Sequence, residues 1–327
     1  MKYLFYIIIC QSIVFNSYAR DRIKIVGSEV MYPLISNVGQ TYGSNTNNVI
    51  PDIENTGTNL GFKLFCTGQG RSYLDIIAAD RKIKKSEQKL CAKNGVKNIV
   101  EIPIGYNAII LGTNQNSHKY KLKLEHIFLA LAKKVPIEGK LTINPYKKWS
   151  DIGAFLPDIE IKIYGPDKRS DLGIAFAELL MNKVCSEFSE YRNKKRLCTE
   201  YREGGHYVEL KNKGNRLDKI KQNINHISIL DSTLLDKNIM TIKAAYIDGE
   251  YPNAKNISNN DYPLTRKLIV YAKQYHFGIV SNLNIFIKEL IGENAMGKEG
   301  YLIFRGLVSL SKKEKKQMRE NVSKLLN

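Results

Sequence analysis

The sequence predicts an α/β protein, on two observations. Short apolar runs alternate with longer segments of helical period. Three junctions between them, at 27–33, 55–61 and 164–170, put small or hydroxyl residues where a helix would begin. A helix start carries unpaired N–H groups and about half a positive charge, so it attracts an oxyanion without help from lysine or arginine. A single Ser or Thr there is ordinarily a cap; three such starts after strands suggest a shared anion site.

In chain order, residues 23–26 (Ile-Lys-Ile-Val) read as a strand, followed by the Gly27 turn and a helix beginning at Pro33. Proline fits a first helical turn, where its missing N–H costs nothing. Residues 75–79 form a buried-strand candidate that delivers Asp80 to its end. Residues 102–111 are a longer strand interrupted by Gly105, 124–133 have helical period, and 159–164 are a strand leading into the third junction. Ile174, Phe176, Ala177, Leu180 and Met181 recur at helical spacing, which predicts an amphipathic helix over 172–184. Residues 268–271 are a late strand and 312–326 a Lys-rich terminal helix with a solvated face. Ligands of open α/β sheets lie beyond the carboxyl ends of strands, the place all three junctions and Asp80 occupy.

The first 19 residues read as a secretory signal peptide. Lys2 precedes an apolar run over 4–15, and Ser17-Tyr18-Ala19 offers small residues at the cleavage positions. The run is shorter than the roughly 20 residues of a membrane span. Cleavage near Ala19 would leave Cys66, Cys91, Cys185 and Cys198. An even number in an exported chain implies disulfides, with three possible connectivities. Pairing of sequence neighbours, Cys66–Cys91 and Cys185–Cys198, is expected, each stabilising by about 3 kcal/mol. No Cys-x-x-Cys and no His at ligand spacing points to a metal. The formal charge of +18 becomes +17 once Lys2 is gone, which would favour anionic surfaces, although the lysines are scattered. Nucleic acid is not an expected partner of an exported chain.

Several segments, taken in order, resemble the phosphate-binding proteins of bacterial ABC importers, within the two-lobed periplasmic binding-protein superfamily. They include Gly27-Ser28 with Tyr32-Pro33, Gly57-Thr58 through Cys66, and Asp75-Ile76 with Ala79-Asp80-Arg81. Ile104-Gly105-Tyr106, residues 127–132, Asn144-Pro145-Tyr146-Lys147-Lys148-Trp149, Tyr164-Gly165-Pro166, Asp248-Gly249 and Tyr262-Pro263-Leu264 continue the match. The resemblance implies a type II fold in which each lobe is a mixed sheet flanked by helices. Two hinge strands, near 103–111 and 262–272, would join lobe 1 (20–105 plus 267–327) to lobe 2 (106–266). It implies a monomeric periplasmic receptor, not an enzyme, that binds inorganic phosphate, needs no cofactor and serves membrane ABC permease subunits.

The resemblance also assigns a phosphate site: Ser28, Met31, Tyr32 through its backbone N–H, Thr58, Asp80, Arg81 and Ser170. Asp80 would accept a hydrogen bond from a protonated oxyanion and so reject sulfate. Its alternative role is a salt bridge with Arg81 or another base, because an acid ending an apolar strand needs a partner. Thr58 and Ser170 have the alternative role of plain helix caps. Three departures matter. Asp171-Leu172 stands where the family has Gly-Thr, and Glu29-Val30 where it has Ser-Thr; a Gly-rich family loop reads Lys211-Asn212-Lys213-Gly214. Each carboxylate facing an anion at about 4 Å would cost about 4 kcal/mol at an effective dielectric near 20, unless Arg81, Lys168 or Arg169 compensates. The competing reading is a member that has lost phosphate binding and acts as a basic envelope-interacting or scaffolding protein. A phosphate-releasing hydrolase would need a nucleophile–base pair or clustered metal ligands, and no spacing supplies either. Trp149, beside Lys147 and Lys148, reads as a packed surface anchor and the histidines as structural.

Overall fold

Ile25 and Val26, and the aliphatic run 76–79, offer no polar face, so both segments need cover on two sides. In the computed structural model, which describes residues 22–326, they lie in β1 (Lys24–Gly27) and β3 (Ile76–Ala79), paired parallel with Ile25 opposite Ile76. The expected signal peptide, with Cys10, lies outside the described residues. β2 (Asp52–Asn55) adds a parallel strand on the far side of β1. Its Asp-Ile-Glu-Asn sequence carries no apolar run, because an edge strand can be polar and exposed.

Two long strands carry the chain between the halves of the sheet. β4 (Ile99–Asn114) outruns the expected segment at both ends. Farther along come β5 (Ile163–Gly165), β6 (Tyr207–Glu209), β7 (Ile227–Asp231), β8 (Ile242–Ala244) and β9 (Thr265–Lys273). The order across the nine-stranded sheet is β2-β1-β3-β9-β4-β7-β5-β6, with β8 also on β4. β9 pairs antiparallel with β4 as far as Ala108, and from Ile109 onward β4 pairs with β7 instead. The sheet is therefore mixed, and the change of partner falls midway along β4.

Gly105 does not interrupt β4. The register shifts opposite it, between Leu268 and Ile269, and a Cβ at Gly105 would lie 2.5 Å from the Val308 carbonyl oxygen. The glycine admits the backbone that bridges Tyr106 to Val308. β5 is shorter than expected, because the Ile159 carbonyl and the Ile161 N–H serve the loop around Trp149. Trp149 is packed, as expected, but fully buried and not at the surface, because the 147–161 loop folds over it.

Helices cover the sheet. α1 (Tyr32–Thr46) and α2 (Thr58–Phe65) follow the first two junctions. The expected helix over 172–184 begins as α3 (Asp171–Phe176), widens into a π turn (Ala177–Met181) and finishes over Asn182–Cys185. Both sequence-neighbour disulfides are present, Cys66–Cys91 and Cys185–Cys198. Among the described residues no helix is long and apolar enough to cross a membrane.

The terminal helix, α4 (Lys312–Leu326), is more than a solvated face. Met318 and Val322 are buried, and Glu314 accepts hydrogen bonds from Tyr106 (2.6 Å), Lys267 (3.0 Å) and Ser311. Burial alone would push the Glu314 carboxyl up, but these donors together hold it down at about 2. A depressed carboxyl stabilises the fold above its unfolded value near 4.5 and loses that contribution as pH falls towards about 2. Glu314→Gln is thus expected to flatten acid denaturation across this window, read by circular dichroism, and to leave the alkaline limb unchanged.

Candidate functional site

Strand β3 is entirely apolar, and the first side chain beyond it is Asp80, only 5% exposed. A carboxylate so placed must be partnered. The Thr58 hydroxyl donates to its Oδ1 at 2.6 Å, and Arg266 Nη1 to its Oδ2 at 2.9 Å. Arg266 lies near the start of β9 and is 4% exposed. Its Nη2 donates to Asn107 Oδ1 on β4 at 2.6 Å and to Asp231 at the end of β7. One guanidinium thus ties β3, β4, β7 and β9 together beside the point where β4 changes partner. Arg266 Nε, also buried, has no acceptor among the described residues.

Asp171 faces the same place. Its Oδ1 accepts the backbone N–H of Thr58 at 3.0 Å, and its Oδ2 accepts that of Glu29 at 3.0 Å. The two amides belong to separate turns, one after β1 and one at the start of α2. Gly57, at φ 77°, allows the approach: a Cβ there would lie 2.9 Å from Asp171 Oδ1. Burial pushes the Asp171 carboxyl up, and the Asp80 charge adds to that, while the two N–H groups and Arg266 pull the other way; the net direction is up. Glu29, the other acidic departure, is exposed and contributes only its N–H.

The remaining expected residues divide. Ser28 is fully buried, and both its carbonyl and its hydroxyl accept the Met31 N–H. The Tyr32 N–H, expected to face an anion, donates to the Ser28 carbonyl at 2.9 Å and closes a turn. Arg81 lines the cleft, but its guanidinium is held by Glu87 and Asn59. The Ser170 hydroxyl accepts the Gly173 N–H and donates to the Asp167 carbonyl, so it caps its own helix. Lys168 sits over the Tyr201 and Tyr207 rings and Arg169 beside Asp167, and neither pairs with Asp171. Thr58, Asp80 and Asp171 therefore come together, while Ser170 and Tyr32 turn inward.

Sequence reading missed Arg266, Asn107 and Asp231. The one signal was a charged pair, Arg266-Lys267, at the head of the apolar run 268–272. A cavity of about 200 Å³ opens beside these groups, lined by Thr58, Asp80, Arg81, Asp171, Arg266 and an apolar wall of Ile174, Ala175 and Leu179. That is below the range of drug-sized sites and suits a small solute.

A family model described as a PBP superfamily domain matches residues 16–294. The chain belongs to the PBP superfamily. Among curated relatives, the protein SphX of Synechocystis is 27% identical over 264 residues, 78% of this chain and 69% of that protein. The phosphate-binding protein PstS of Staphylococcus saprophyticus is 22% identical over 301 residues, 89% and 81% of the two chains. In structure, a possible phosphate-binding protein from Planctomyces limnophilus superposes with TM-score 0.66 at 20% identity, over 95% of this chain and all of that one. PstS from Borrelia burgdorferi gives 0.63 at 17%, over 90% and 100%. A Clostridium perfringens protein described as a putative phosphate ABC transporter substrate-binding protein with bound phosphate gives 0.61 at 18%, over 89% and 100%. The mixed α/β fold of this PBP superfamily member is thus the one expected from its sequence, and relatives named for phosphate binding are binding proteins, not enzymes.

Proposed function

We propose that this chain is a solute-binding protein that captures inorganic phosphate, or a related oxyanion, and delivers it to a membrane ABC permease. The observation that carries the reading is the convergence of the Glu29 and Thr58 amides on two oxygens of one group. A tetrahedral oxyanion can present an edge of the same shape. Arg266 lines the same cavity, its buried Nε lacking an acceptor among the described residues, and a carboxylate at Asp80, an acceptor only, would favour an anion that carries a proton. Lobe 1 (20–105 plus 267–327) and lobe 2 (106–266) would close on the ligand about β4 and β9, a hinge motion driven by contacts made only when closed. The protein would work as a monomer in the periplasm after signal cleavage.

Calorimetric titration of the mature protein should show binding of phosphate and arsenate and none of sulfate. Asp80→Ala should weaken phosphate binding about ten- to a hundredfold, the range for one hydrogen bond to a charged group. Unchanged affinity would defeat the assignment.

The seat already taken by the Asp171 carboxylate favours a second reading, in which transport is lost and the basic body binds anionic envelope surfaces. Salt-sensitive binding to anionic vesicles, with no heat from phosphate, would select it.

A further inference from the structure

In the receptor reading, the two cradle amides await an anion, yet both are engaged by Asp171 at 3.0 Å. We propose that Asp171 is a tethered competitor: its carboxylate holds the cradle in the free protein, and an oxyanion enters only by displacing it. The residue thereby sets the affinity of the site and the class of anion that can use it. This rests on the receptor reading and adds to it a specificity-determining residue.

Three features carry the inference. The donors come from two separate turns, after β1 and at the head of α2, and both oxygens of one carboxylate meet them, so the fit is bidentate. Gly57 leaves room for that carboxylate where any Cβ would stand 2.9 Å from Oδ1. The seat is also a contested one: Asp80 lies near enough to oppose the charge of Asp171, and Arg266, already shared between Asp80 and Asp231, offsets only part of it. A carboxylate held by two amides, yet opposed by a neighbouring acid, is one that an oxyanion bringing a proton for Asp80 can replace.

Displacement imposes a filter. A tethered group needs no association entropy, so it competes at a high effective concentration. A small monovalent anion offers the amides no more than the carboxylate does. A tetrahedral oxyanion brings further oxygens, which can meet the other groups lining the cavity, Thr58 and Arg266 among them. Because the ligand and Asp171 need the same amides, the apparent affinity falls by the fraction of time the cradle is free.

The test is calorimetry with inorganic phosphate on the mature wild type, Asp171→Ala and Asp171→Asn, alongside amide hydrogen exchange at Glu29 and Thr58 without ligand. Asp171→Ala should bind phosphate about tenfold tighter or better, equivalent to the cradle being free less than roughly one-tenth of the time in the wild type. Asp171→Asn should fall between, since its amide retains one acceptor oxygen for two donors. Exchange at both amides should quicken in Asp171→Ala. Binding by the alanine variant alone would be the extreme form of the same result. Wild-type binding equal to or tighter than that of Asp171→Ala overturns the inference and leaves the receptor reading standing. Absence of binding in every protein overturns the receptor reading, and the competition falls with it. Unchanged exchange at Glu29 and Thr58 overturns the tether directly.

Discussion

Arg266→Met is expected to cost the folded protein about 3–5 kcal/mol, the range for removing one partner of a buried ion pair. Arg266 and Asp80 are almost fully enclosed, at 4% and 5% exposure, and Asp231 is partly so. Methionine fills much of the same volume, so the loss would come from carboxylates left without their cation and not from a void. Asp80 would keep the Thr58 hydroxyl, but Asn107 Oδ1 and Asp231 would lose the donor they share. Urea denaturation should show a lower midpoint with an unchanged slope. Arg266→Met combined with Asp80→Asn and Asp231→Asn should recover much of the stability, because removing a buried charge cluster as a unit is far less damaging than halving it. The recovered protein should still bind phosphate poorly, because the charges of both Asp80 and Arg266 are gone from the cavity they line.

The parts of the fold legible in the sequence are those whose side chains leave one choice. The run 76–79 has nothing polar to expose, and the spacing of Ile174, Phe176, Leu180 and Met181 suits a helix and no strand. β2 was not legible: Asp-Ile-Glu-Asn is held by its backbone ladder to β1, and ladder bonds have no sequence signature. The extra length of β4 escaped for a similar reason, since Glu101 and Gly112-Thr113-Asn114 end the apolar run while pairing with β9 and β8 carries the strand past them. In the site, Asp80 and Thr58 could be found because strand ends and helix starts mark themselves. Ser170 has the same local signature, but its hydroxyl meets Asp167 and Gly173 of its own turn before it can reach across the cleft. The direction of Asp171 could not be read at all. An acid in a first helical turn is favourable wherever it points, and only the placing of Gly57 and the Glu29 amide opposite it gives the carboxylate a seat. Arg266 was hidden because its three acceptors come from positions 80, 107 and 231, joined only by the sheet order.

The second large effect lies in the core below the cleft. His276→Ala is expected to destabilise the protein by about 3 kcal/mol or more, from a lost buried hydrogen bond at each ring nitrogen and the space left behind. His276 and Asp75 are both fully buried, with Nδ1 and Oδ1 2.5 Å apart, and His276 Nε2 accepts the Gly70 N–H at 2.9 Å. A nitrogen that accepts carries no proton, so the ring proton sits on Nδ1 and is donated to Asp75. Asp75 also accepts the Lys24 N–H at 2.7 Å, and its carbonyl accepts the Lys273 N–H, which moors the loop before β3 to β1 and β9. An aspartate–histidine pair invites a catalytic reading, but a relay would need a hydroxyl or thiol at Nε2, and a backbone N–H stands there. The pair is a clamp. A catalytic pair would lose turnover at unchanged stability. The clamp should do the reverse: a clear fall in the urea midpoint for His276→Ala, and phosphate affinity within about twofold of wild type once the protein is folded, because four strand residues separate Asp75 from Asp80 and Arg266 still holds the latter.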